Sequence, residues 1–404
     1  MKKSVLPLIV ALFLLPSFVL AAEERGTKIY YDDLRNWPYE PEKIGAKPGR
    51  FYVALPEQGK IAVVDPQSRS VVKLIPVPAG PERLSAVPGM RYLYVTHQEG
   101  DRLTVIDTKD ALILRGIEEG GPPQLALIDM SDQVIRELKI GKGRPAPIAF
   151  SPVDDLALVG NADSEQGEVA YIDTARHEVV GAVRTRGKKT GEVVFTHDGA
   201  YAFLGNRIGP LDLLDVKQGT VVKSLPVEDA VALRMSPDGQ WLLADSAQGY
   251  LAVVSVADGS VSRIEIGPER ADLLFSRDGR TAYIGGGKNL AMIDLEKRAV
   301  KGRIAAGPHP LLSSLLPDRN VAVITSGLRP QQISLIDLGE ERVIKKIQAG
   351  RSAHQVQFSA DARYGLISNS DDPFVTLIDG KRLDKIADIQ VGSGSAGVRW
   401  IPYE

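Results

Sequence analysis

The chain has 404 residues, with 49 Lys or Arg against 51 Asp or Glu and a formal net charge of −2. This balance gives no general attraction to nucleic acid, and the 44% hydrophobic and 25% charged fractions are those of a globular protein. The absence of cysteine excludes disulfides, a lipid-modified cysteine, thiolate metal ligands and covalent attachment of a c-type haem.

Residues 1–22 are predicted to be a secretory signal peptide. Lys2 and Lys3 precede an apolar run over residues 5–20, and small residues place the cleavage near Ala21 or Ala22. The alternative is a permanent membrane anchor, but the run contains two prolines and is short for a span of about 20 residues. No second run of that length follows, so we expect no membrane span after cleavage. A signal peptide on a chain without cysteine predicts a periplasmic protein.

Residues 23–49 form a polar segment that we call the N-terminal arm. It contains Tyr30, Tyr31, Trp37 and Tyr39. Since aromatic side chains gain from burial, we expect the arm to lie against the domain that follows.

From residue 50 onward a short β-rich run recurs, in most copies ending in Asp, as in "IAVVD" and "VTLID". The runs end, in chain order, at Asp65, Asp107, Asp173, Asp215, Ser255, Asp294, Asp337 and Asp379. The usual spacing is about 42 residues, which is typical of a four-stranded propeller blade. One longer interval contains an extra copy, "LALID", ending at Asp129.

The repeat divides into four strands separated by turn residues, as in "ADLLFS", "TAYIGG", "LAMID" and "AVKGRIA". The D-G pair after the first strand suits a tight turn, and the nearly apolar strands suit sheets covered on both faces. No amphipathic helix of useful length separates the strands, which argues against a parallel-sheet fold. The sequence therefore predicts an all-β fold, an eight-bladed β-propeller.

The two ends of the propeller, residues 50–404, predict how its ring closes. The first repeat begins with "RFYVAL", a second strand, and the chain ends with "AGVRWIPYE", a first strand. We expect the last strand to complete the first blade, because closure removes open sheet edges. Seven blades remain an alternative because the insertion over residues 108–124 obscures the second blade. We expect this insertion to act as a lid or a partner contact.

Repeats such as "FSADARYGLISNSDDPFVTLID" resemble the YVTN family of β-propellers, and the match covers about residues 50–400. The eight-blade count also resembles the d1-haem domain of periplasmic nitrite reductases and related proteins of d1-haem assembly. That resemblance implies a d1-type haem as a candidate cofactor. Without a c-haem motif, the chain is not a complete nitrite reductase of that kind.

Propeller loops sort the five histidines by face. His309 and His354 lie at junctions between a fourth strand and the next first strand, and His97 opens a loop on the same expected face. His177 and His197 belong to the opposite face. Because His309 and His354 come from adjacent blades, they are candidate ligands for a metal or a haem iron. The alternative is that they pack at strand starts, since metal sites normally have three or more ligands.

The same junctions are rich in cations, which suit carboxylates or phosphates. They carry Arg83, Arg144, Arg184, Arg186, Lys188, Lys189, Arg270 and Arg351. The candidate cofactor-binding residues are Arg83, Arg144, Arg270, Arg351, His309 and His354. The alternative is a solvated rim balanced by Glu82, Glu99, Asp163, Glu165, Asp371 and Asp372.

Three functions follow from these residues. The first is a non-enzymatic periplasmic module that binds an anionic small molecule or a protein partner on the His/Arg face. The second is a d1-haem-binding or d1-haem-assembly protein. The third is a lactonase-like hydrolase, which is disfavoured because the channel-facing junctions offer few acidic residues and no G-x-S-x-G or H-E-x-x-H motif is present.

Overall fold

The computed structural model describes residues 49–86, 92–98, 102–107, 112–113, 124–128, 134–139, 145–176, 178–266, 273–286, 289–306, 310–326 and 331–402. Across these residues the strands form eight β-sheets, seven with four strands and one with six. The predicted eight-bladed β-propeller is therefore confirmed, and the alternative of seven blades is set aside.

The blades are numbered along the chain, and their strands are given from the channel outward. Blade 1 contains β34 (Val398–Pro402), β1 (Gly49–Leu55), β2 (Lys60–Asp65) and β3 (Ser70–Pro76), with a 3-10 turn at Pro56–Gln58. Blade 2 contains β4 (Pro81–Ala86), β5 (Tyr92–His97), β6 (Arg102–Asp107), β7 (Leu112–Ile113), β8 (Gln124–Ile128) and β9 (Val134–Lys139). Blade 3 contains β10 (Pro145–Phe150), β11 (Leu156–Asn161), β12 (Glu168–Asp173) and β13 (Glu178–Arg184). Blade 4 contains β14 (Lys188–Phe195), β15 (Tyr201–Ile208), β16 (Pro210–Asp215) and β17 (Thr220–Glu228).

The second half of the ring repeats this pattern. Blade 5 contains β18 (Ala230–Met235), β19 (Trp241–Ser246), β20 (Tyr250–Ser255) and β21 (Val261–Glu265). Blade 6 contains β22 (Leu273–Phe275), β23 (Thr281–Gly286), β24 (Asn289–Asp294) and β25 (Ala299–Ala305). Blade 7 contains β26 (Pro310–Leu315), β27 (Val321–Ser326), β28 (Gln332–Asp337) and β29 (Arg342–Gln348). Blade 8 contains β30 (Ala353–Phe358), β31 (Tyr364–Asn369), β32 (Phe374–Asp379) and β33 (Asp384–Gln390).

The core lies between neighbouring blades, which explains why the strands are apolar on both faces. In β1, alternate side chains enter different clusters: Phe51 and Val53 pack with residues of blade 8, while Tyr52 and Ala54 pack with residues of blade 2. Successive side chains of a strand point to opposite faces of the sheet, so each blade buries one set against each neighbour.

The C-terminal strand closes the ring as predicted. β34 pairs antiparallel with β1, with Phe51 opposite Trp400 and Val53 opposite Val398. The two aromatic rings meet edge to face with centroids 4.7 Å apart, and Trp400 is 6% exposed. Blade 1 therefore joins the two ends of the chain through main-chain hydrogen bonds and a packed aromatic pair.

Blade 2 contains both Asp-ending runs that flank the insertion, and the strand pairing shows which of them is the third strand. Its third strand is β6, which ends at Asp107 and pairs with β5. The extra copy of the motif forms β8, which pairs with β6 in parallel and with β9 in the antiparallel sense. The insertion thus adds strands to an existing blade and does not form a ninth one. Apart from β7 and the start of β8, residues 108–124 lie outside the described ranges, so the predicted lid or partner role remains untested.

Hydrogen-bonded turns account for the short motifs that recur in the sequence. In "SPDG", Ser236 Oγ donates to Asp238 Oδ1 at 2.5 Å and accepts the Trp241 N–H at 2.9 Å, while Gly239 has φ 69°. After the third strand, Asp65 Oδ1 accepts the N–H of Gln67 at 2.8 Å. The short motifs therefore recur because their side chains stabilise turns that each blade requires.

The predicted signal peptide and nearly all of the N-terminal arm lie outside the described residues. Within the described ranges, the chain forms no apolar helix long enough to cross a membrane.

Candidate functional site

One end of the propeller, which we call the mouth face, carries the fourth-to-first junctions and the second-to-third loops. The two kinds of connection are hydrogen-bonded to each other: the Gln98 N–H donates to Gly80 O at 2.8 Å, and the Ala247 N–H donates to Asp229 O at 2.9 Å. The predicted grouping of these loops on one face is confirmed by these bonds.

The mouth face is built on a frame that recurs from blade to blade. In blades 2, 3, 5, 7 and 8 the first residue of the innermost strand lies opposite the last residue of the second strand, and a register shift occurs further along the pair. In blade 4 the equivalent pair lies two residues inside the ends of β14 and β15 and is also followed by a register shift. The framed pairs are Pro81–His97, Pro145–Asn161, Thr190–Asn206, Ala230–Ser246, Pro310–Ser326 and Ala353–Asn369. The residue just before the innermost strand often has left-handed backbone, as at Gly80, Asp229 and Ser352. A register shift of this kind turns side chains toward new directions at a strand end.

His97 occupies the frame position that blades 3, 4 and 8 fill with Asn. It is 2% exposed, and its Nδ1 lies 3.0 Å from Ala79 O, in the junction that the frame holds. In blade 8 the equivalent Asn369 accepts the Gly350 N–H at 3.1 Å. His97 Nδ1 therefore donates to a carbonyl of its junction, whereas Asn369 accepts an N–H of its junction. Both side chains hold a junction from the same frame position.

His354 lies in the register shift of β30, between the pairs Ala353–Asn369 and Val356–Ile367. Its side chain is exposed, and its backbone carbonyl accepts the Thr325 hydroxyl at 3.2 Å. The structure thus places an exposed imidazole on an innermost strand at the mouth face. His309 lies outside the described residues, so the predicted His309–His354 pair remains a prediction.

The candidate arginines divide into two that are described and two that are not. Arg83 is exposed on β4, where it pairs with Thr96 in the ladder. Arg351 is engaged by acidic neighbours: its Nε lies 2.9 Å from Asp372 Oδ1, and its Nη2 donates to Asp371 O at 2.8 Å. Arg144 and Arg270 lie outside the described ranges.

Two further contacts complete this arrangement. The Arg351 N–H donates to Asp372 Oδ2 at 2.5 Å, and the Ser352 hydroxyl donates to Asp371 Oδ2 at 2.7 Å. Around Arg351 the geometry therefore fits the predicted alternative, in which acidic residues balance the rim, better than a guanidinium available to bind a ligand.

The densest basic run, "VRTRGKKTG", forms the junction into blade 4. Lys188 and Lys189 both face Glu165, at 3.6 and 3.0 Å, and the hydrogen bond from Lys189 lowers the pKa of that carboxyl. Beneath the junction, the carboxylate of Asp212 is fully buried and accepts the Arg186 N–H at 2.7 Å. The junction is therefore anchored from below, while its basic side chains lie at the surface.

Polar side chains also lie deeper along the innermost strands. Glu192 Oε2 accepts the Leu233 N–H at 2.8 Å and Arg234 Nη1 at 2.7 Å. Gln357 and Arg399 are 7% and 6% exposed on β30 and β34. Sequence analysis did not single out these residues, because they lie within innermost strands and not at the fourth-to-first junctions. A blade-by-blade alignment on the "FS" and "S-P-D-G" turns is the signal that finds them.

The opposite face carries His197, as predicted. It is partly buried. Burial lowers its pKa, and the nearby carboxylates of Asp238 and Asp198, which would raise the pKa, offset only part of this effect. His177 lies outside the described residues. In the described part of the chain, no group of three or more His, Asp or Glu side chains is arranged to hold a metal ion.

Comparisons with known proteins support the fold. No family model matches the chain, and no curated protein sequence matches it. Among the solved structures, 1699 chains match, so the fold alone does not select a function. One of them is dihydro-heme d1 dehydrogenase NirN in complex with DHE. It matches with a TM-score of 0.69 and 18% identity, over 88% of this chain and 76% of that one. The likeness to d1-haem propellers is thus confirmed at the level of the fold.

Proposed function

We propose that the protein is an exported d1-haem-binding or d1-haem-assembly protein that takes an anionic tetrapyrrole on its mouth face. The observation that carries this proposal is the likeness, over 88% of the chain, to a protein whose structure is titled as a complex with DHE. The broader alternative is a module for another anionic ligand on the same face.

The chemistry of the mouth face fits such a ligand. His354 presents an exposed imidazole on an innermost strand, and imidazole is a common axial ligand of haem iron. Arg83, also exposed on an innermost strand, offers a guanidinium suited to a carboxylate. A bound haem would supply the iron, while these side chains would orient it. Arg351 is a weaker candidate than we expected, because Asp372 already holds it.

A hydrolase of the lactonase kind is not proposed. Glu192 is a carboxylate on an innermost strand of the described part of the chain, but Leu233 N–H and Arg234 already bind it. A carboxylate held in this way is poorly placed to activate water.

The test is a titration of the purified protein with d1 haem extracted from a nitrite reductase, followed by visible absorption. We expect a shifted spectrum with the parent protein and loss of the shift in His354→Ala. His197→Gln, on the opposite face, is the matched control and should keep the parent spectrum. Binding should also weaken in Arg83→Gln and at high salt, because the attraction is partly Coulombic.

Two results would overturn the proposal. One is a parent protein that leaves the haem spectrum unchanged at all concentrations. The other is an unchanged spectral shift in the His354→Ala and His309→Ala variants and in their double variant, which would place the haem away from the mouth face.

A further inference from the structure

A basic surface covers the mouth side of blade 4 and the junction that enters it from blade 3. Four of its five cations are exposed, and the fifth, Lys189, is partly exposed. The basic surface consists of Arg184, Arg186, Lys188, Lys189 and Arg207. It extends from the outermost strand of blade 4, where Arg186 contacts Val221 O on β17 at 3.2 Å, to the innermost strand β14, which carries Lys188 and Lys189.

The charges of this surface are only partly balanced. Glu165 faces Lys188 and Lys189, but no carboxylate in the described part of the chain pairs with Arg184, Arg186 or Arg207. The guanidinium of Arg186 instead rests on neutral acceptors, the hydroxyl of Ser224 and a main-chain carbonyl. Like charges held together without counter-charges repel one another, and an anionic partner would relieve that repulsion.

The surface is held rigid from beneath. Asp212 is fully buried, and its carboxylate accepts the Arg186 N–H at 2.7 Å, Asn206 Nδ2 at 3.0 Å and Ser224 Oγ at 2.6 Å. A fully bonded buried carboxylate fixes its neighbours in one arrangement. The cations are therefore presented by an ordered junction, which lowers the entropy lost on binding.

Blade 8 shows that the fold does not require these cations. It repeats the frame of blade 4, with Asn369 accepting the Gly350 N–H at 3.1 Å and Thr376 Oγ1 donating to Asp388 Oδ1 at 2.9 Å. There, however, Asp372 pairs with Arg351. The same architecture thus carries a balanced rim at blade 8 and an excess of positive charge at blade 4.

An exposed apolar side chain lies within the basic surface. Ile208 is 47% exposed and directly follows Arg207 at the end of β15. Arg207 itself lies over the innermost strand, because its Nε is 3.7 Å from the position that a Cβ on Gly191 would occupy. Cations around an apolar residue are typical of a protein interface, where arginine is enriched.

We propose that the basic surface is a docking site for an acidic surface of a partner protein, with Ile208 as its apolar contact. The cations span the blade from β17 to β14, a spread that suits a protein patch better than one small anion. A flat anionic membrane fits less well, because it would also meet Asp371 and Asp372 on the same face. This site is separate from the haem site proposed around His354.

The test uses a fluorescein-labelled 12-residue peptide of alternating Glu and Leu as a probe, with fluorescence anisotropy as the readout. We expect the Arg186→Gln, Arg207→Gln double variant to weaken binding about tenfold, and 0.5 M NaCl to do the same in the parent. Ile208→Ser should weaken peptide binding a few-fold without changing competition by inorganic phosphate. Arg351→Gln, in the equivalent but balanced junction, is the matched control and should bind like the parent.

Thermal melts confirm that each variant is folded, and His354→Ala should bind the peptide like the parent, which separates this site from the haem site. Equal binding by the parent and the double variant would overturn the proposal. So would an Ile208→Ser variant with unchanged affinity, because the surface would then be a plain anion patch. Tighter binding to vesicles with 30% phosphatidylserine than to the peptide would assign the surface to a membrane instead.

Discussion

Glu192 on the innermost strand of blade 4 is bound to Arg234 on the innermost strand of blade 5, with 2.7 Å between Oε2 and Nη1. The two side chains are 17% and 6% exposed, so the ion pair is shielded from solvent. The same carboxylate oxygen accepts the Leu233 N–H. In blade 8, Gln355 Oε1 accepts the Val398 N–H of blade 1 at 2.9 Å. A neutral amide there accepts the main-chain N–H of the next blade, as the carboxylate of Glu192 does in blade 4.

This comparison predicts different costs for two substitutions. Glu192→Ala removes the acceptor of the Leu233 N–H and the counter-charge of Arg234, so it should lower the free energy of unfolding by about 3–5 kcal/mol. Glu192→Gln keeps an acceptor and should cost clearly less. Urea unfolding of both variants and the parent gives the comparison. Equal costs for the two variants would mean that the hydrogen bond from the Leu233 N–H to this side chain contributes nothing to stability.

Closure of the ring predicts a strong effect of the last strand. Deleting residues 396–404 removes β34 and exposes the edge of β1, so we expect aggregation or a large loss of stability. Trp400→Ala should cost about 3–5 kcal/mol, because a large buried side chain leaves a cavity. Trp241→Ala, at a half-buried ring beneath Arg298, is the control and should cost less. A truncated protein with the parent melting temperature would contradict closure by β34.

The hydrogen bond between the third and fourth strands appears with its partners exchanged in opposite blades. Asp212 accepts from Ser224 in blade 4, whereas Thr376 donates to Asp388 in blade 8. Asp212→Thr alone should cost about 1–3 kcal/mol, because buried donors lose their acceptor.

The double variant Asp212→Thr, Ser224→Asp recreates the arrangement of blade 8 and should recover at least half of that loss. Chemical denaturation of the parent, both single variants and the double variant forms a complete cycle. Additive losses in the double variant would show that the two blades are not interchangeable at this bond.

His197 predicts a pH dependence of stability. Burial lowers its pKa below the usual 6.5, so the unfolded chain takes up the proton more readily than the folded protein. Its contribution is therefore complete above that usual pKa and is lost as the pH falls through the folded-state pKa. The melting temperature of the parent minus that of His197→Gln should be constant above neutral pH and decrease toward pH 5. An increase in this difference on acidification would contradict the assignment.

Much of the fold is readable from the sequence because each blade repeats its turn chemistry. Ser, Asp and Gly recur where a tight turn needs them, and the apolar strands indicate sheets covered on both sides. Blade 2 was not readable in the same way. Its β8 carries a third-strand sequence but adds in parallel to β6, and pairing partners far apart in the chain leave no local signal.

The site was predicted less completely because its charges are balanced by residues distant in sequence. Arg351 was expected either to face a ligand or to be balanced by acidic residues that included Asp372, and only the structure shows that Asp372, from another loop, holds it. His97 was expected on the same face as the candidate ligands, and aligning "YVTH" with "LISN" shows the frame position that it fills. Arg207 was missed because it lies at the end of a second strand and not in a fourth-to-first junction.

The pairing of β34 with β1 also determines the order in which the protein can mature. Ribosomes deliver Phe51 about 350 residues before its partner Trp400, so blade 1 lacks its innermost strand until β34 has been translated. Contacts of such long range form slowly, and the seven other blades can assemble while the ring is still open. A chain interrupted before β34 is thus left with an unpaired edge on β1, which is a template for pairing with another chain.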